Sequence, residues 1–142
     1  MLIEEKLRNR LDSKSIKKHK LMRRFLRDYK VDLNKPVDQL HVLFFSVLNN
    51  DLKMFKILIE YGAVIDMRRV VSYIYLCIDN KNIQFLEYIL KHIELDVHCV
   101  NAILTHEYII NKLGGKDSII NYVKSFPQLL EQHSNYDKYY KL

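Results

Sequence analysis

Glycine and proline are scarce in this chain, 3 and 2 among 142 residues, and tryptophan is absent. An all-β fold needs glycine, proline and Asn-Gly pairs for its turns, so the scarcity points instead to helices joined by short loops. The two cysteines, Cys77 and Cys99, are too few to staple a disulfide-built scaffold and read as small, reduced, buried residues. No apolar run reaches the roughly 18 residues a spanning helix requires, so membrane insertion is not expected. The opening Met1-Leu2-Ile3 runs directly into Glu4-Glu5-Lys6, without the apolar core of a signal peptide. A soluble protein of the cytoplasm is the expectation, with the nucleus as the second compartment.

What is present is an apolar content of 49%, enough for one core. One helical domain over 1–132 is predicted, with 133–142 as a frayed tail. Charge is unevenly placed. Residues 1–30 hold 11 Lys/Arg against 4 Asp/Glu, whereas 31–142 hold 12 against 13. The basic character therefore belongs to the first two helices. Such a patch could serve an acidic protein surface, nucleic acid or a membrane surface.

Internal repetition is visible. Phe25-Leu26-Arg27-Asp28-Tyr29-Lys30-Val31-Asp32-Leu33-Asn34 recurs 32 residues on as Ile57-Leu58-Ile59-Glu60-Tyr61-Gly62-Ala63-Val64-Ile65-Asp66, and 31 further as Tyr88-Ile89-Leu90-Lys91-His92-Ile93-Glu94-Leu95-Asp96. Ahead of the last two, Phe44-Phe45-Ser46-Val47-Leu48-Asn49-Asn50-Asp51-Leu52 recurs as Tyr75-Leu76-Cys77-Ile78-Asp79-Asn80-Lys81-Asn82-Ile83. Each unit reads as helix, polar turn, helix, loop. Helices are predicted over 2–11, 15–29, 40–48, 52–61, 71–79, 83–92, 99–112, 117–125 and 128–132. Asn49-Asn50-Asp51 should cap the helix that follows it, and Gly62 should terminate that helix in a left-handed conformation. Gly114-Gly115 separates the two helices near the far end, and Pro127 closes the second of them.

These residues resemble the ankyrin-repeat family, whose units run Thr-Pro-Leu-His-x-Ala-Ala-x-x-Gly-His, an apolar helix, then Leu-Leu-x-x-Gly-Ala-x-x-Asn. His41 to Asp51 occupy the first part and Leu58 to Asp66 the second. The following unit matches in outline, with Ser72 at the Thr position and Cys77-Ile78 at the small pair. The Thr-Pro-Leu-His turn is absent throughout. Eroded units rich in Ile, Asn, Lys and Tyr look like the divergent ankyrin proteins of poxviruses and other large DNA viruses. The resemblance covers about residues 14–98. It implies an all-α, ankyrin-like solenoid of about four stacked helix pairs. It also implies a protein that binds a host regulatory protein in the host cytoplasm and inhibits innate signalling, with the NF-κB pathway as one target.

Chemistry is not signalled by spacing. His92, His98, Cys99 and His106 lie near one another in sequence, but no Cys-x-x-Cys or His-Glu-x-x-His pattern links them. Neither a phosphate-binding glycine loop nor a nucleophile–base pairing stands out. No metal, cofactor or enzymatic activity is expected. The residues expected to meet a partner fall in three groups. Lys17, Lys20, Arg24 and Arg27 line the second helix. Lys35, Met67, Arg68 and Arg69 sit in the loops after successive second helices, where Arg and Met suit interface cores. Tyr73, two residues from Tyr75 in one helix, supplies an aromatic contact, since alternate residues there cannot both point inward. Nucleic acid bound through the basic helices is the second reading and self-association through an exposed end repeat the third.

Overall fold

A computed structural model describes residues 2–113 and 119–132. Among these there are ten helices and no strand. The chain divides into two compact units, Met1–Ile65 and Asp66–Leu142. The predicted tail at 133–142 and the Gly114-Gly115 break, with Asp117 and Ser118 beyond it, lie outside the described residues.

The first unit holds α1 (Ile3–Leu11), α2 (Lys18–Asp28), α3 (Val42–Leu48) and α4 (Leu52–Glu60). Helix α1 packs on α2 and α3, and α4 packs on α2 and α3, so two helix pairs lie like on like. Sequence periodicity dictates this arrangement. Met22, Phe25 and Leu26 make one apolar stripe on α2, and Met54, Phe55, Ile57 and Leu58 another on α4. All are buried, along with Leu7, Leu11, Val42, Leu43 and Val47. Contacts also recur at close to one repeat length, 28 to 32 residues apart. His19 Nε2 meets Asp51 at 2.8 Å, 32 residues on. Asn34 donates from Nδ2 to the Gly62 carbonyl at 3.0 Å and accepts from the Val64 N–H at 2.8 Å, tying one loop to the next.

The loop before α3 contains a tight turn. Val37 and Leu40 exchange both backbone hydrogen bonds, at 2.8 and 3.0 Å, around Asp38 and Gln39, whose φ angles are 49° and 69°. That is a type I′ turn, made here without glycine. Arg8 braces it, donating from Nη1 to Asp38 at 2.6 Å while its guanidinium lies over the Phe45 ring at 4.6 Å.

The second unit holds α5 (Val70–Asp79), α6 (Ile83–Lys91), α7 (Val97–Thr105), α8 (Glu107–Leu113), α9 (Ile119–Lys124) and α10 (127–132). Helix α5 packs on α6 and α7, and α7, α8 and α9 pack mutually. The single helix predicted over 99–112 is in fact two, broken at His106. There the side chains take over backbone acceptors: Thr105 Oγ1 donates to the Asn101 carbonyl at 2.7 Å, and His106 Nδ1 meets the Ala102 carbonyl at 2.9 Å. Glu107 then begins α8, with its negative charge at the favourable end of the helix dipole.

The turns linking α3 to α4 and α5 to α6 share one backbone design. Asp51 N–H donates to the Ser46 carbonyl at 2.8 Å and Asn82 N–H to the Cys77 carbonyl at 2.9 Å. Asn50 and Lys81, one residue earlier, adopt φ angles of 54° and 56°. Asp51 Oδ1 accepts from Met54 N–H, and Asn82 Oδ1 from Phe85 N–H, each at 3.0 Å. The 31-residue repeat read from sequence is therefore a repeat of hydrogen bonds.

Candidate functional site

In the second unit a surface groove forms where the loop before α5 meets the outer sides of α5 and α7. Asp66 organises the loop. Its carboxylate accepts from Arg68 N–H at 3.0 Å and from Arg68 Nε and Nη2 at 3.2 and 3.1 Å, and Arg69 Nε stands 3.5 Å away. Hydrogen bonding from Arg68 holds the Asp66 carboxyl below its ordinary pKa. Arg69 N–H then donates to the Asp66 carbonyl at 2.9 Å as the chain enters α5.

Val70, Tyr73, Ile74, Cys77 and Ile78 form the buried face of α5, at steps of three and four. That register turns Val71 and Tyr75 outward. Across from them, α7 begins at Asp96, whose Oδ1 caps it by accepting from Cys99 N–H at 2.9 Å. The result is a hollow of about 320 Å³ lined by Met67, Arg68, Val71, Tyr75, Asp96, His98 and Asn101. The Tyr75 ring also meets the His106 ring edge-on at 5.1 Å. Such a mixture of aromatic, thioether, guanidinium and capped carboxylate suits a peptide-like surface, where apolar contact and directional hydrogen bonds are needed together.

Met67 and Arg68, predicted from sequence, border this groove. Arg69 stands beside it, facing Asp66. Tyr73 must be corrected. It is 0% exposed while Tyr75 is 39% exposed, so the surface aromatic of α5 is Tyr75. Burial pushes the Tyr73 phenol up to about 12, as expected of a core residue. The signal was in the sequence: with Cys77 and Ile78 inward, the residue four before Cys77 is inward too. Asp96, His98 and Asn101 carried no comparable signal, because their role follows from the packing of α5 on α7.

In the first unit, Lys17, Lys20, Arg24 and Arg27 are exposed and spaced by three, four and three residues, opposite the Met22, Phe25, Leu26 stripe. Their neighbours are otherwise engaged. Lys18 Nζ pairs with Asp51 at 2.8 Å and Arg23 with Glu60 at 2.7 Å, both towards α4. Lys17, Lys20 and Arg24 make no ion pair with any described residue. Arg27 stands 3.7 Å from Asp28 and borders a second hollow, with Tyr29, Lys30 and Tyr61. Lys35 is exposed in the loop before the type I′ turn and does not line the hollow beside Arg27.

The two thiols are withdrawn. Burial pushes the Cys77 and Cys99 thiols up to about 12, which leaves them poor nucleophiles. Among the described residues no three His, Cys, Asp or Glu side chains converge as metal ligands would. No described helix is long and apolar enough to cross a membrane. No protein-family model, curated protein or solved structure matches this chain.

Proposed function

We propose that this chain is a divergent ankyrin-type stack of helix pairs that binds another protein and carries out no reaction. The observation that carries the reading is the groove of Met67, Arg68, Val71, Tyr75, Asp96, His98 and Asn101. It joins a loop tip to the outer sides of two packed helices. Support for the repeat comes from the turn that recurs hydrogen bond for hydrogen bond, and from the His19–Asp51 contact made one repeat length, 32 residues, apart in the first unit. Following the resemblance, the partner is a host regulatory protein of innate signalling, the NF-κB pathway included, and the chain acts by occupying it.

The groove has residue types typical of a small binding hot spot, an aromatic and an arginine together with polar groups. Capture from host-cell lysate, followed by mass spectrometry, tests the proposal when wild type is compared with Met67→Glu and Tyr75→Glu. Both positions are exposed, so neither change should unfold the chain. A true partner should bind the wild type and weaken about 100-fold with Tyr75→Glu, the scale of a hot-spot loss. Failure to recover any protein above background, or recovery equally strong with both variants, would overturn it.

A further inference from the structure

From Ser13 to Arg27 the chain contains no acidic residue, and α2 starts without one in its first turn. Cations at that end oppose the helix dipole, and like charges three and four residues apart repel. The fold tolerates this arrangement without pairing Lys17, Lys20 or Arg24 to any described residue. Beside them, in the turn between α1 and α2, Ile16 is 95% exposed. The turn holds it out. Ser15 N–H donates to Ser13 Oγ at 3.2 Å, Lys17 N–H to Ser15 Oγ at 3.1 Å, and Lys18 N–H to the Ser15 carbonyl at 3.1 Å. Lys14 flanks it on the other side and is exposed as well.

We propose that this corner of the first unit docks on an anionic lipid surface, Ile16 entering the head-group boundary and Lys14, Lys17, Lys20, Arg24 and Arg27 lying on the lipid charges. Charge complementarity selects an anionic occupant, and Ile16 selects among anionic occupants. Five clustered cations match the number that holds a segment on an acidic leaflet, and an aliphatic side chain beside them gains by leaving water there. Nucleic acid would neutralise the cations but offers little to a lone exposed isoleucine. Between Ser13 and Arg27 there is also no Asn or Gln to read base edges. An acidic protein surface fits less well, because interface cores favour aromatics and disfavour lysine. Here three of the five cations are lysine, and only Arg27 borders a hollow that exposed aromatics, Tyr29 and Tyr61, also line. The lysine and arginine stems along α2 span about 15 Å, a length a flat leaflet meets without a shaped partner.

Sedimentation of the full chain with phosphatidylcholine vesicles, with or without about one third phosphatidylserine, tests the proposal. Binding is expected only to the phosphatidylserine vesicles, and it should fall as salt rises. Ile16→Ser should weaken it about tenfold. The triple change Lys17→Glu, Lys20→Glu, Arg24→Glu should weaken it more than about 100-fold, at about fivefold or more per cation. Lys53→Glu with Lys91→Glu, which removes charge elsewhere, should leave it nearly unchanged. All substituted positions are exposed, and circular dichroism is the check that each variant is folded. Equal binding to neutral vesicles, wild-type binding by Ile16→Ser, or tighter binding to duplex DNA than to the acidic vesicles would each overturn the proposal. The last of these would assign the patch to nucleic acid.

Discussion

The α3–α4 and α5–α6 hairpins use one turn and fill it differently. Position by position over 31 residues, Val42 answers to Tyr73, Ser46 to Cys77, Asn50 to Lys81 and Asp51 to Asn82. Backbone and caps coincide, whereas side-chain size and charge do not. In the first hairpin the cap is a carboxylate, 10% exposed, that also gathers Lys18 and His19 from α2. In the second the cap is a neutral amide. The frame therefore requires only an acceptor at this position, and charge there is an addition particular to the first unit. The helix ends diverge in the same way. After α4, Gly62 adopts a φ of 108°, with Ala63 N–H on the Leu58 carbonyl and Gly62 N–H on the Ile59 carbonyl, a Schellman ending. After α6, the His92 ring meets the Tyr88 carbonyl at 2.8 Å and stacks on the Tyr88 ring instead.

The largest effect should come from the buried pair. Tyr73→Ala empties an aromatic volume from a packed face and should cost about 4 kcal/mol. Val42→Ala, at the matching place, removes much less volume and should cost about 2 kcal/mol. Tyr75→Ala, two residues from Tyr73 but on the surface, should stay within about 0.5 kcal/mol. Urea denaturation of the three variants measures this order. A Tyr75 effect as large as that of Tyr73 would show the register of α5 to be wrong.

That register marks how far the sequence could be read. Helix positions in α1 to α6 follow from three- and four-residue spacing, and the caps at Asp51 and Asn82 follow from residue type. The apolar residues on either side of His106 keep a helical spacing through the break, so periodicity conceals it. The break depends on two side chains competing for carbonyls, which no pattern of apolar residues reports. At the site, Met67 and Arg68 were legible as loop-tip residues. Asp96, His98 and Asn101 were not, because only the packing of α7 on α5 brings them to the same groove. The type I′ turn at Asp38-Gln39 was hidden as well, since Gln39 stands where such a turn favours glycine after aspartate.

The caps come next in size. Asp51→Ala loses the bond to Met54 N–H and leaves Lys18 and His19 facing no carboxylate, so about 2–3 kcal/mol is expected. Asn82→Ala loses its cap, about 1 kcal/mol. Asp51→Asn separates the two parts: it copies the second hairpin and should retain most of the capping while losing the charge. The variant also carries a pH signature. Burial pushes the Asp51 carboxyl up, but hydrogen bonds from Lys18, Met54 N–H and His19 outweigh it and hold the group below its ordinary value. Its unfolded value is about 3.9, so its contribution is complete above that pH and is lost as the pH falls through the lower folded value. Wild type should therefore lose this increment on the acid side of about pH 4, and Asp51→Asn should not. Matching acid-side slopes in thermal melts of the two proteins would mean that the carboxylate adds nothing beyond its cap.

The smallest effect distinguishes the turns by conformation alone. Asn50 and Lys81 occupy the left-handed region at nearly the same φ, 54° and 56°, and both are exposed. Asparagine enters that region with little penalty, whereas lysine meets the full clash of its Cβ with the following carbonyl. Glycine removes the clash but loses more backbone entropy on folding. For Lys81→Gly the relief should exceed the entropy, and the protein should gain about 0.5 kcal/mol. For Asn50→Gly the two nearly cancel, leaving a change near zero. The difference between these variants in urea midpoint, at an unchanged slope, measures the cost of a left-handed lysine in a turn whose backbone hydrogen bonds match. Equal responses would mean that the shared turn, and not the residue in it, sets the strain.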